Sequence, residues 1–124
     1  MQSDRVIYFT EREEEVVAIL GTLGIHRNVA KVLVYLAGAE EATSKDIDRG
    51  TDLREPEVSL AMRYLAGKGW VSCRENRGGN KGRPVKIYQL AVPVSEIINS
   101  IEQEKMMKAR DTLNLIKRFR EYVT

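Results

Sequence analysis

The sequence has 124 residues, 43% of them apolar and 31% charged, with a net charge of +2. That length suits one domain, and the balance is that of a soluble globular chain with too much apolar content for disorder. No stretch approaches the roughly 20 apolar residues of a membrane span. The start, MQSDRVIYFTEREEE, lacks the basic and apolar runs of a secretory leader. The single cysteine excludes an internal disulfide, which predicts a reducing, cytoplasmic setting.

Val6-Ile7-Tyr8-Phe9 is apolar but short, an arm or an edge strand. Thr10-x-x-Glu13 then forms a capping box, in which hydroxyl and carboxylate each satisfy a backbone N–H of the other residue. It opens a first helix over 11–23, with Val16, Leu20 and Leu23 at helical spacing, Val17 and Ile19 beside them, and Gly21 and Gly24 weakening the end. Val29, Val32, Leu33 and Leu36 recur at i, i+3, i+4, i+7, the buried face of a second helix over 26–38 that Gly38 ends. His26 stands where a Ser or Thr cap is expected. Thr43-x-x-Asp46 is a second capping box and opens a short helix over 44–49, with Ile47 inward and Gly50 as its stop. Pro56 suits the first position of a fourth helix over 56–67, where the missing N–H costs nothing. Val58, Ala61, Met62 and Leu65 are its core face, and Gly67 and Gly69 close it. Two strands follow, Trp70–Arg74 and Val85–Leu90, on either side of the glycine-rich, basic RENRGGNKGRP tip. Cys73 is expected to pack within its strand. After Pro93 a long helix covers 94–122.

The charge is unevenly spread. Residues 1–24 hold two basic and five acidic residues, a net of −3, whereas residues 69–93 hold Arg74, Arg77, Lys81, Arg83 and Lys86 against Glu75, a net of +4. Local density sets the field, so a basic hairpin can bind phosphate on a near-neutral protein. Helix, helix, short helix, helix, hairpin is the order of a helix-turn-helix followed by a wing. A major groove about 12 Å wide admits one helix. The short helix braces it, and the hairpin lies along the adjacent backbone. The fold expected is mainly α with a small β-hairpin: a winged helix-turn-helix over 1–93 plus a C-terminal dimerisation helix over 94–124.

The stretches RNVAKVLVYLAG, ATSKDIDRGTDLREPEVSLAMRYLAGKGWVSCRE and GRPVKIYQL resemble the winged-helix regulators of the ArsR, MarR and TrmB groupings. Pro56-Glu57-Val58-Ser59, then Leu65 and Lys68-Gly69-Trp70-Val71, are similar to the recognition helix and first wing strand of those families. Gly82-Arg83-Pro84-x-Lys86-x-Tyr88 resembles the return strand of the wing in TrmB-like archaeal regulators. The resemblance spans about residues 25–92. It implies a DNA-binding transcriptional regulator, commonly dimeric through helices outside the wing. Three features depart from the pattern. Glu55 and Glu57 favour the helix dipole but repel phosphate, although a carboxylate can accept from a cytosine amino group. Leu60 and Tyr64 lie off the core face, where they can touch thymine methyls or ribose, or bury against the second helix. The third is His26.

The DNA-facing residues expected on this reading are Ser44 and Lys45 on the short helix, Arg54 just before the recognition helix, and Glu57, Ser59, Leu60 and Arg63 on it. Arg77, Lys81, Arg83 and Lys86 on the wing complete the set, Lys86 pointing outward by alternation with Val85 and Ile87. One cysteine and one histidine do not make the clusters of a metal sensor. No nucleophile–base pair, nucleotide loop or cofactor signature occurs, so no enzyme, metal or cofactor is expected. In the last helix Val94, Ile97, Ile98 and Ile101 mark one stripe. Met106, Ala109, Leu113, Ile116 and Phe119 mark a second, offset by a five-residue step. A monomer would leave the second stripe in water, so Ile101, Met106, Ala109, Leu113, Ile116 and Phe119 are expected to form a homodimer interface. The alternative is that this helix folds back on the first. The expected partners are double-stranded DNA and a second copy, with no membrane. The rival reading is a winged-helix module that binds protein without sequence-specific DNA recognition.

Overall fold

Thr10 opens the first helix as its spacing to Glu13 predicts. In the computed structural model, which describes residues 9–76 and 84–124, its hydroxyl accepts from the Glu13 N–H at 3.1 Å and the Glu13 carboxylate accepts from the Thr10 N–H at 2.9 Å. The elements are α1 (Glu11–Thr22), α2 (Arg27–Ala37), β1 (Ala42–Thr43), α3 (Ser44–Thr51), α4 (Glu55–Gly67), β2 (Val71–Asn76), β3 (Val85–Leu90) and α5 (Val94–Val123). This is the mainly helical winged fold expected from the sequence. The described residues up to Val92 form one unit and Pro93–Thr124 a second. Residues 6–8 of the proposed arm and the wing residues Arg77, Lys81 and Arg83 lie outside the described residues.

The centre of the first unit is α2, which buries Val29, Ala30, Val32, Leu33 and Leu36. Ile47 of α3 and Val58, Ala61, Met62 and Leu65 of α4 complete that core. α1 adds Val17 alone. Val16, Ile19 and Leu23 of the expected stripe are exposed and Leu20 is half-buried, so the side of α1 that meets α2 is offset from the apolar stripe read in the sequence. Two helices end through a left-handed glycine. At Gly24 (φ 100°) and Gly69 (φ 79°) the chain leaves α1 and α4 through paired bonds. Gly24 donates to Gly21 and Ile25 to Leu20; Gly69 donates to Ala66 and Trp70 to Leu65. The second motif clasps the chain's one tryptophan, buried, over the end of α4.

Four local expectations are corrected. α3 does not stop at Gly50 but runs to Thr51, whose hydroxyl donates to the Ile47 carbonyl at 2.6 Å, and ends at Asp52 in a left-handed conformation (φ 60°). Gly50 is glycine because the Tyr35 ring lies against it: a Cβ there would overlap the ring edge and sit 2.7 Å from Cδ1. α4 begins at Glu55, so Pro56 is its second residue, where the N–H is still unneeded. β1 is an element that the sequence did not announce. It pairs antiparallel with β3 (Ala42 opposite Tyr88, Thr43 opposite Ile87), giving the sheet order β1-β3-β2. Cys73 is exposed, not packed, because only Val71 of β2 is buried.

α5 is a helix of 30 residues, about 45 Å long. Ile97 is buried and Ile101 half-buried, but Met106, Leu113, Ile116 and Phe119 are 51%, 65%, 45% and 68% exposed.

Candidate nucleic-acid interface

Two helix starts frame the candidate surface. At α3, Thr43 caps and its box partner is Asp46: the hydroxyl accepts at 3.1 Å from the Asp46 N–H, and the carboxylate accepts at 3.0 Å from the Thr43 N–H. Ser44 and Lys45 therefore occupy the first two helical positions, Ser44 half-buried and Lys45 exposed. At α4 the cap residue is Arg54. Its side chain has no acceptor, so only half of a box forms: the Glu57 carboxylate accepts from the Arg54 backbone N–H at 2.9 Å. Glu57 thus has a structural task that its motif also satisfies. His26 has one too, since its Nδ1 accepts from the Asn28 N–H at 3.1 Å and caps α2.

The outer side of α4 is set by the same periodicity as its core. With Val58, Ala61, Met62 and Leu65 inward, the residues at Pro56, Leu60, Arg63 and Gly67 (i, i+4, i+7, i+11) form one exposed strip, with Ser59 at its side. Leu60 is 63% exposed, so it does not bury against α2. Tyr64 lies beyond the strip's other edge, where the Lys68 ammonium sits 5.6 Å from the centre of its ring and 5.8 Å from that of Trp70.

The described part of the hairpin is less basic than its sequence suggests. Lys86 is exposed as expected, but it sits directly across the ladder from Glu75. Arg74 forms an ion pair with Glu41, ahead of β1. Each pairing offsets a positive charge, and neither was visible as spacing, because both depend on which strands meet. The helical segment 44–68 carries five basic and five acidic residues and is neutral. One of those acids is Asp48, whose Oδ1 is buried without a hydrogen-bond partner. Burial, and then the charge of Glu55, push its carboxyl above the ordinary range. Tyr35, beneath α3, is pushed up by burial and by Asp46.

Among the described residues no group of three His, Cys, Asp or Glu is placed to hold a metal ion, and no helix is long and apolar enough to cross a membrane.

No family model matches the chain, and no curated protein does. Solved structures do. A structure of TrmBL2, described as an archaeal chromatin protein with a novel mode of DNA binding, superposes with a TM-score of 0.70 at 16% identity. That match covers 90% of this chain but only 40% of the other, so the chain spans less than half of that relative's length. A possible transcriptional regulator from Methanosarcina mazei Go1 gives 0.61 at 18% identity, over 90% of this chain and 97% of that one. The S. aureus MepR–DNA complex gives 0.51 at 22% identity, over 87% and 90%. With the helix order, the three-stranded sheet and the long last helix all in place, the chain has the winged helix-turn-helix fold of transcriptional regulators.

Proposed function

We propose that the protein is a cytoplasmic, non-enzymatic transcriptional regulator that binds duplex DNA as a homodimer. Residues 1–93 form the DNA-binding part and 94–124 the dimerisation helix. The observation that carries this reading is the exposed α4 strip, held rigidly by the core on its opposite side and followed directly by a hairpin. Structurally similar proteins described as DNA-bound or DNA-binding support it. α4 enters the major groove. Ser59, Leu60 and Arg63 meet base edges, while Ser44, Lys45 and Arg54 meet the flanking backbone. Glu57 stays on its cap and holds the start of the helix in shape. Because Arg74 and Lys86 face carboxylates, the wing's grip on phosphate rests chiefly on Arg77, Lys81 and Arg83.

The exposed stripe of α5 supports the homodimer. Fully burying a side chain such as Leu113, Ile116 or Phe119 is worth roughly 1.5–3 kcal/mol. Three from each chain, roughly 9–18 kcal/mol if fully buried, are of the same order as an association cost estimated at about 4–15 kcal/mol. Two copies then place two recognition helices on successive major grooves, about 34 Å apart.

One observation favours a second reading, a protein-binding module: the neutral 44–68 segment has no electrostatic attraction for DNA as a whole. Binding of random duplex at two salt concentrations separates the readings. The DNA reading expects measurable affinity at low salt that falls steeply as salt rises, because bound phosphates release counterions. Absence of binding at low salt overturns it in favour of the protein-binding module.

A further inference from the structure

Leu60 is the most exposed large apolar residue of the first unit's described helices, at 63%. It lies in the middle of the α4 strip. Leaving such a side chain in water forgoes roughly 1.5–3 kcal/mol of burial. Arg63 and Ser59 stand on one side of Leu60 and Tyr64, 41% exposed, on the other, so the apolar part of the strip is two side chains wide at most, which is too narrow for a protein core. Cations stand on both sides of it along the helix, Arg54 at the cap and Arg63 nearly one turn beyond. An apolar point between two cations complements a small apolar group set between phosphates.

The rest of the strip narrows the choice of base. α4 has no Asn or Gln to pair with adenine. One oxygen of the Glu57 carboxylate accepts from the Arg54 N–H, which ties that side chain to the start of the helix. Arg63 alone offers the fork that suits guanine. Gly67, at the end of the strip, is a helical glycine whose Cβ would meet nothing within 4 Å. As the last residue of α4 it ends the helix, and among the described residues nothing packs on it, which leaves open space for a second molecule along the strip.

We infer that Leu60 reads thymine, packing its methyl groups on the C5 methyl, the one apolar group a base pair presents in the major groove. Arg63 contacts the neighbouring base, and Gly67 leaves room for the duplex to lie close. This rests on α4 being the DNA-reading helix.

The test begins with duplexes selected from a random pool by the full-length protein. Thymines in the selected site are then replaced singly by deoxyuridine, which removes the methyl and keeps the pairing. At one position per half-site the substitution should weaken wild-type binding about fourfold, the effect of taking one methyl out of apolar contact. Leu60→Ala, checked for folding by circular dichroism, should bind the two duplexes equally. Unchanged affinity at every substituted thymine overturns the inference, as does a Leu60→Ala protein that keeps the full preference. Binding without any selected consensus also overturns it, and leaves DNA binding itself standing. Failure to bind any duplex at low salt overturns both readings together.

Discussion

α2 and α5 are both amphipathic, yet they meet opposite fates. α2 has 11 residues and buries five of them; α5 has 30 and buries one. The apolar face of α2 finds α1, α3 and α4 within its own chain. The second stripe of α5 is exposed, although Leu113, Ile116 and Phe119 are as apolar as anything in the core. A hydrophobic pattern therefore states that a face needs a partner and is silent on whether the partner belongs to the same chain. Substitutions that separate the two kinds of completion test this contrast directly.

The largest effect belongs to α2. Leu36, 1% exposed, should lose about 2–5 kcal/mol of stability as Leu36→Ala, read by chemical denaturation. The matching change in α5, Leu113→Asp with Ile116→Asp, should leave the first unit folded and halve the mass seen by analytical ultracentrifugation. A dimer that survives both charges would move the interface elsewhere, with Val16, Ile19 and Leu23 of α1 the exposed alternative.

On the proposed reading Arg63, like α5, is completed by a second molecule. Arg63→Ala should cost roughly 1–3 kcal/mol of discrimination among DNA sequences, with little change in melting temperature. Arg83→Ala should weaken all sequences about equally, since phosphate carries no sequence information. Competition binding with matched and mismatched duplexes distinguishes the two, and a uniform loss from Arg63→Ala would reassign that residue to the backbone.

Gly50 is completed from inside. Gly50→Ala gains roughly 1 kcal/mol in helix propensity but forces the Tyr35 ring aside, which costs about 1–3 kcal/mol. A net loss of about 1 kcal/mol is expected. The same loss persisting in a Tyr35→Ala background would show that the ring is not its cause.

The smallest effect concerns Asp48, an internal group left incomplete. Its carboxyl is raised by burial and by Glu55, so the folded state binds its proton more tightly than the unfolded chain does. Stability from this group is present in acid and lost as pH rises through the folded-state value. Asp48→Asn should therefore raise the melting temperature at pH 7. Below the ordinary carboxylate range the advantage should vanish. A gain that is the same at both pH values would point to a cause other than charge.

What could be read from sequence follows the same line between local and distant causes. The boxes at Thr10 and Thr43 and the core faces of α2 and α4 were legible because each depends on residues three or four apart. β1 was not, because two residues have no periodicity and become a strand only where β3 runs beside them. Gly50 was misread for a related reason: by local rules a glycine ends a helix, and only the Tyr35 ring, 15 residues earlier, explains it inside one. At the candidate site, the exposed strip followed from helical spacing. The partners of Arg74, Lys86 and Glu57 did not, since the first two depend on strand register and the third on where α4 begins.

Trp70 gives the molecule a built-in optical probe. It is the chain's one tryptophan, buried where α4 turns into β2. Its emission reports on the first unit. Far-ultraviolet circular dichroism sees both units, α5 supplying 30 helical residues beside the 44 of α1 to α4. Heating the protein while recording both signals thus compares the first unit with the whole in one unlabelled sample. Coincident curves mean that they melt as one cooperative body. A dichroism loss that precedes the fluorescence change, and shifts to higher temperature with protein concentration, marks α5 unwinding as the pair comes apart over an intact core.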